Sequence, residues 1–270
     1  MEALLQIDGW PVPFGAAGVV DREGRVATRG DAARVVSLAS VSKPVAGLAF
    51  LVAAEEGVVD LDEPAGPPGA TVRHLLAHAS GLPFEGLVPI ARPGRRRIYS
   101  NDAFRVLAAH LEERTEMSFD EYVREAVCAP LGIGLDPRGH PGAGMHASLS
   151  DLLTLGRELL RPELVAAETC DEMVTVQFPG ISGVLPDHGR FDPLDWGLAV
   201  QLNTRPASWM GTRTSSRTFG HFGGAGTFLW VDPEAEVVCA ALTTRRFGEW
   251  AKVAWPRFSD AVLAELADVR

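Results

Sequence analysis

Ser40 and Lys43 stand one helical turn apart at the start of an apolar run. If a helix begins at Ser40, both side chains lie on one face and the lysine amine can reach the serine hydroxyl. A serine hydroxyl attacks a carbonyl only when a base takes its proton, and burial or a neighbouring cation can lower a lysine pKa for that role. The spacing predicts a nucleophile and its base, although it also occurs at ordinary helix starts.

Two further segments could complete such a site. Tyr99-Ser100-Asn101 supplies a phenol that can relay a proton and an amide that can bond Lys43 while donating to a substrate carbonyl. The segment 220–226 is rich in glycine and falls on a predicted strand. Its glycines would let a substrate approach the backbone closely, and its N–H groups could donate to an oxyanion.

The order of these segments matches that of a known family. The sequence resembles the serine β-lactamases and penicillin-binding proteins, whose motifs appear here as Ser40-Val41-Ser42-Lys43, Tyr99-Ser100-Asn101 and His221-Phe222-Gly223. The Tyr-x-Asn and His-x-Gly forms are similar to those of the class C β-lactamase, DD-peptidase and family VIII esterase branch. Further matches to that branch lie at 74–83, 130–132 and 230–233.

The resemblance implies a role for each matching residue. Ser40 would be acylated, Lys43 would be its base, and Tyr99 would pass protons and activate the deacylating water. Which of Lys43 and Tyr99 is the acylation base stays open. Asn101 would orient the substrate, and the oxyanion hole would be the backbone N–H groups of Ser40 and Gly224. The resemblance implies no metal and no organic cofactor.

The third motif departs from the lactam-recognising pattern. Those members present a cationic lysine and a hydroxyl to the substrate carboxylate, whereas this chain has His221, neutral at pH 7 if unperturbed, and Phe222. We expect His221, Phe222 and Gly223 to bind substrate, and we expect a neutral or bulky acyl ester to be preferred. Arg245 or Arg246 could restore a carboxylate partner.

Charged and histidine clusters near these motifs have alternative interpretations. The arginine run at 92–97 could dock an anionic substrate near Tyr99, although such runs are more often solvated loops. His74 and His78 share one helix face, but the glutamate and third ligand of a zinc hydrolase motif are missing from this segment. Structural histidines are therefore favoured over a metal site.

The pattern of the remaining chain predicts how these motifs are positioned. Helical periodicity dominates from 71 to 164, with an amphipathic helix at 102–114 and a helix capped by residues 148–151 that runs to 160. A closing helix at 250–267 is expected to break at Pro256. Candidate strands lie at 16–20, 25–28, 197–203, 212–219, 226–231 and 237–243. We predict an α+β fold of the β-lactamase/transpeptidase type, with an antiparallel sheet built from both chain ends, flanking helices and an inserted all-helical lobe. A single catalytic domain would span 1–270, its α/β lobe comprising 1–63 and 170–270 and its helical lobe 64–169.

Composition limits the classes of function. The chain has 270 residues, of which 46% are hydrophobic and 22% charged, enough for a sizeable core. A net charge of −10 argues against nucleic acid, and no cationic amphipathic face or membrane-length apolar run is present in the sequence. Three widely spaced cysteines suggest neither a disulfide framework nor a metal site. Since the N-terminal segment lacks the pattern of a signal peptide, we expect a cytoplasmic protein.

These observations predict a serine hydrolase that acts on small esters or amides through a Ser40 acyl-enzyme. One alternative is a true β-lactamase or D-alanyl-D-alanine carboxypeptidase, against which the missing signal peptide counts. The alternative from another class is a catalytically silent protein that binds an acyl or peptide ligand. The sequence leaves the acyl preference and the oligomeric state open.

Overall fold

The computed structural model describes residues 1–185, 189–203 and 209–268. Its α-helices are α1 Ser42–Glu55, α2 Val72–Leu76, α3 Asp102–Thr115, α4 Phe119–Val123, α5 Ala129–Leu131, α6 Leu149–Leu160, α7 Ala167–Met173 and α8 Glu249–Asp268. Its strands are β1 Gly15–Val20, β2 Val26–Arg29, β3 Val36–Ser37, β4 Arg97–Ile98, β5 His146–Ala147, β6 Gly183–Leu185, β7 Gly189–Phe191, β8 Gln201–Leu202, β9 Phe219–Gly223, β10 Thr227–Asp232 and β11 Val237–Thr243. Turns of 3-10 helix occupy Glu2–Gly9 and Ala39–Val41, and a π-helical turn occupies Arg124–Cys128.

The main sheet joins the two ends of the chain. Its strand order is β2-β1-β11-β10-β9-β8, and all neighbouring strands are antiparallel. The register of β1 and β11 runs from Gly15 opposite Thr243 to Val20 opposite Val238. This arrangement confirms the predicted antiparallel sheet built from both chain ends and flanked by helices.

Helices cover both faces of this sheet, which is why its central strands are buried along their whole length. On one face α6 lies directly against β11, and a Cβ at Gly156 would come within 2.2 Å of Val238 Cγ1. On the other face α8 packs Trp255 and Phe258 against Phe228 and Trp230 of β10, in a second hydrophobic cluster. Because Gly156 has no side chain, α6 can approach β11 this closely.

Periodicity and capping located several helices correctly. The predicted helix at 102–114 corresponds to α3, and α6 begins where Ser148 Oγ accepts from the Asp151 N–H at 3.2 Å. Helix α1 is buried around most of its circumference, since every residue from Ser42 to Ala53 is buried. The motif of Ser40 and Lys43 is thus anchored in the core rather than on an exposed helix. The predicted division into two lobes stays a prediction.

Three details of the predicted elements are wrong. Residues 212–218 form a loop, not a strand, because Asp232 and Asp260 accept hydrogen bonds from its backbone and side chains. Only Gln201–Leu202 pairs as a strand within 197–203. Helix α8 continues through Pro256, because burial of Trp255 and Phe258 offsets the roughly 3 kcal/mol that an interior proline costs.

A small three-stranded sheet lies apart from the main one. In it β6 pairs in parallel with β4 and antiparallel with β7. Strand β4 leads directly into Tyr99 and then α3, so this sheet holds the second motif in place. Within the described ranges, none of the helices has both the length and the apolar character needed to span a membrane.

Candidate active site

Ser40 lies in a tight turn that leads into α1. The turn is the 3-10 segment Ala39–Val41, and α1 begins only at Ser42, so the expected helix start at Ser40 is displaced by two residues. Ser42 Oγ donates to Ala39 O at 2.7 Å and accepts from the Met145 N–H at 3.1 Å, which fastens the turn to the segment before β5. Ser40 itself remains partly exposed, which its predicted role as a nucleophile requires.

The amine of Lys43 has three polar neighbours. Its Nζ lies 2.8 Å from Asn101 Oδ1, 2.8 Å from Gly142 O and 3.4 Å from Ser40 Oγ. The side chain is fully buried, and burial lowers the Lys43 pKa well below its ordinary value. A neutral amine has two N–H donors and one lone pair. Since both oxygens at 2.8 Å can only accept, in the neutral form they would take the two N–H groups and leave the lone pair on the side of Ser40 Oγ.

Gly142 is a part of the site that the sequence analysis missed. A Cβ at Gly142 would lie 2.8 Å from the ring of Phe104, whose centroid is 5.1 Å from Lys43 Nζ. Only glycine therefore brings this carbonyl to the amine. The available signal was the cluster of glycines at 139–144, which marks a place where backbone approaches other groups closely.

Tyr99 lies between Ser40 and His221. Its hydroxyl is 3.5 Å from His221 Nε2. Burial raises the pKa of the Tyr99 phenol above its ordinary value, and the nearby Ser40 side chain only partly opposes this. The phenol is therefore protonated at neutral pH and available as a donor.

His221 is a neutral imidazole with a defined tautomer. Its Nδ1 lies 2.7 Å from Phe222 O, and because a carbonyl only accepts, Nδ1 carries the proton. The lone pair of Nε2 then faces the Tyr99 hydroxyl. Burial, helped by the nearby Lys43, lowers the pKa of His221 to about 3. At the third motif this chain presents a neutral acceptor.

Gly223 brings the third motif against the turn of Ser40. A Cβ there would lie 2.2 Å from Leu38 O and 2.4 Å from Thr227 Oγ1, and Thr227 Oγ1 itself donates to Leu38 O at 2.8 Å. Gly224 follows directly, and its carbonyl accepts from the Phe247 N–H at 3.0 Å. The oxyanion role of the Ser40 and Gly224 N–H groups stays a prediction.

Phe222 points to the opposite face of β9 from His221, because side chains alternate along a strand. Its ring is 8% exposed and lies 4.7 Å from the Phe247 ring and 6.2 Å from the Trp255 ring, centroid to centroid. This places Phe222 in the aromatic cluster beneath α8. Its predicted contact with substrate remains a prediction.

Four other polar residues singled out in the sequence, His74, His78, Arg97 and Arg245, have structural partners. His74 Nδ1 lies 2.9 Å from Thr71 Oγ1, and His78 Nδ1 accepts from the Ser100 N–H at 3.1 Å. Arg97 is buried, and its guanidinium donates to the backbone carbonyls of Ala77, Gln177 and Leu194. The guanidinium of Arg245 donates to Pro11 O. No group of three or more His, Cys, Asp or Glu side chains within residues 1–185, 189–203 and 209–268 is arranged to hold a metal ion.

This chain is similar in sequence and structure to known proteins. A family model described as Beta-lactamase matches residues 1–263. A beta-lactamase from Mycobacterium bovis is similar in structure with a TM-score of 0.96 and 50% sequence identity, over 98% of this chain and 99% of that chain. A hydrolase with promiscuous acyltransferase activity shares the fold, with a TM-score of 0.79 and 18% identity over 97% of each chain. Penicillin-binding protein 4* of Bacillus subtilis is 28% identical over 129 residues, which span 36% of this chain and only 29% of that protein.

Proposed function

The chain belongs to the beta-lactamase family of serine hydrolases, and on that premise we propose that it is an esterase or amidase forming an acyl-enzyme on Ser40. Members of this family act on small esters, amides or lactams. One observation carries the proposal. The Lys43 amine is buried, with Asn101 Oδ1 and Gly142 O each 2.8 Å from Nζ and with Ser40 Oγ 3.4 Å from it.

In the acylation step, neutral Lys43 takes the Ser40 proton as Ser40 Oγ bonds to the acyl carbon. The carbonyl oxygen becomes an oxyanion next to the N–H groups of Ser40 and Gly224. The carbon–leaving-group bond then breaks, and the proton on Lys43 passes to the leaving oxygen or nitrogen through the Tyr99 hydroxyl. Burial lowers the pKa of Lys43 and raises that of Tyr99, which supports Lys43 as the base of this step.

Deacylation uses the same groups in reverse. A water occupies the position of the departed group, gives a proton to Lys43 through Tyr99, and attacks the acyl carbon. The bond from the acyl carbon to Ser40 Oγ then breaks, the proton on Lys43 returns to Ser40 Oγ, and the acid product leaves. Because burial keeps His221 neutral, its Nε2 accepts the Tyr99 hydroxyl hydrogen bond without taking the proton. We assign His221 a positioning role, holding the phenol toward Ser40.

The neutral third motif supports a substrate without a carboxylate at that position. His221 is neutral, and the guanidinium of Arg245 already donates to a backbone carbonyl. A second candidate function is lactam hydrolysis, which is favoured by the 50% identity to the beta-lactamase from Mycobacterium bovis. Turnover of lactams at rates well above those for short-chain esters would establish that second candidate.

The first experiment measures intact-protein mass after exposure to a small fluorophosphonate. We expect one adduct on the wild type and none on Ser40→Ala. Ser150→Ala, at the exposed start of α6, is the matched control and should be labelled like the wild type. A folded wild type that forms no adduct would contradict the proposal and favour the silent binding protein.

A further inference from the structure

A cavity of about 640 Å3 lies beside Tyr99. Its walls come from the loop that carries Phe84 and Ile90, from β4, and from the hairpin of β6 and β7. The lining residues are apolar or glycine except for Tyr99, Ser182 and three arginines, among them Arg96 and Arg190. The cavity therefore combines an apolar surface with positive charge, next to a residue of the candidate active site.

Strand register places an apolar row and a cation on the same face of the small sheet. Ile98 lies opposite Val184, and Val184 lies opposite Arg190. Residues directly opposite one another point to the same face, and neighbouring strands are about 4.8 Å apart, so Arg190 is roughly 10 Å from Ile98. Arg97, between Arg96 and Ile98, points away from this face and is buried.

Arg96 and Arg190 are exposed, and within the described part of the chain no carboxylate forms an ion pair with either. This is unexpected in a protein with 35 acidic and 25 basic residues, where most neighbours of a cation should be acidic. Since Arg96 and Arg190 both line this cavity and neither is ion-paired within the described residues, their guanidinium groups could stabilise an anion there.

The mouth of the cavity is also apolar. Phe84 is 46% exposed, Ile90 is 67% exposed and Val184 is 56% exposed, and Leu87 and Val88 in the same loop are exposed as well. The Phe84 ring stacks on Tyr99, with ring centroids 6.0 Å apart and planes inclined by 22°. Contiguous exposed apolar side chains of this kind typically mark a binding surface. Tyr99 therefore belongs both to the wall of the cavity and to the candidate active site.

We propose that this cavity binds the acyl part of the substrate, and that this acyl part is an apolar chain ending in a carboxylate. The inference rests on the proposed function, because it places the ester carbonyl near Tyr99. The chain would lie along Phe84, Ile98 and Val184. Its terminal carboxylate would lie between Arg96 and Arg190, since three extended residues from Tyr99 to Arg96 span roughly 10 Å. The substrate class is the half-ester of a dicarboxylic acid.

Binding tests the cavity separately from the reaction. The unreactive Ser40→Ala protein is titrated calorimetrically with monomethyl azelate and with methyl nonanoate, which differ only in a terminal carboxylate. We expect at least about tenfold tighter binding of the azelate ester. Adding Arg96→Gln and Arg190→Gln should reduce this preference to less than twofold. The matched control adds Arg92→Gln and Arg95→Gln, exposed arginines that do not line the cavity, and should keep the preference.

Equal binding of the two esters would overturn the proposal, and so would an equal loss in the control, which would indicate a diffuse surface charge. Turnover of the p-nitrophenyl esters of the same two acids by the wild type adds a second readout. The kcat/KM for the ester with the terminal carboxylate, divided by the kcat/KM for the ester without it, should fall about tenfold in the Arg96→Gln/Arg190→Gln variant. If fluorophosphonate leaves Ser40 unlabelled while the binding preference is present, the proposed reaction fails and the cavity assignment stands. If Ser40 is labelled and the two esters bind alike, the cavity assignment fails and the proposed reaction stands.

Discussion

Replacing Asn101 by Asp tests whether Lys43 is the acylation base. The change is nearly isosteric, and it puts a negative charge where a neutral oxygen lies 2.8 Å from Lys43 Nζ. An opposite charge at this distance raises a lysine pKa by about 1–3 units, equivalent to about 1.4–4 kcal/mol. Because only the neutral amine accepts the Ser40 proton, the rate of Ser40 acylation below the new pKa should fall by about 10- to 1000-fold.

The assay is the second-order rate of fluorophosphonate labelling of Ser40, followed by intact mass between pH 5 and pH 10. In the wild type, labelling should rise with pH as Lys43 loses its proton, and in Asn101→Asp this rise should move to higher pH. Asn101→Ser, which keeps a neutral oxygen, is the control and should leave the position of the rise unchanged. An Asn101→Asp profile that rises at the wild-type pH would refute Lys43 as the base and indicate Tyr99.

Two further predictions concern backbone fit and pH. Gly142→Ala should slow Ser40 labelling about tenfold, because a Cβ that lies 2.8 Å from the Phe104 ring displaces the carbonyl bonded to Lys43. Gly134→Ala, where the nearest atom lies 3.8 Å away, should label at the wild-type rate, and equal effects would argue against this reasoning. The low pKa of His221, about 3, predicts a second effect. The unfolded imidazole binds a proton below about pH 6.5. The free energy of unfolding should therefore decrease between pH 6.5 and pH 3 by up to about 1.4 kcal/mol per unit, and urea midpoints of His221→Gln should decrease less over that range.

Much of the site could be predicted because its side chains have distinctive types and spacing. The serine–lysine spacing and the Tyr99-Ser100-Asn101 segment predicted that Ser40, Lys43 and Asn101 lie together, and the structure places Ser40 and Asn101 within hydrogen-bonding distance of the Lys43 amine. Helix α3 was predicted because its apolar period is regular. These are local signals, which a sequence shows directly.

The parts that could not be predicted depend on tertiary contacts or on the backbone. The Gly142 carbonyl has no side-chain signature, since every residue has a carbonyl. The strands β4 and β5 are two residues long and have no visible alternation. Residues 212–218 looked like a strand because of their threonines, but carboxylates from distant segments organise them as a loop. Helix α8 continues through its proline because burial of Trp255 and Phe258 against the sheet stabilises the helix.

The pairing of β1 with β11 has a consequence for how the protein forms in the cell. A ribosome that adds about 5–20 residues per second needs roughly 10–50 s to synthesise a chain of this length. During that time the first hairpin, β1 and β2, has an unpaired edge, because its partner β11 lies near the other end of the chain. Closing such a distant contact costs loop entropy and makes folding slow. Until β11 emerges, the nascent chain exposes Ala17 and Val19 on an open edge, and that interval is when we expect it to be most prone to aggregation and most dependent on chaperones.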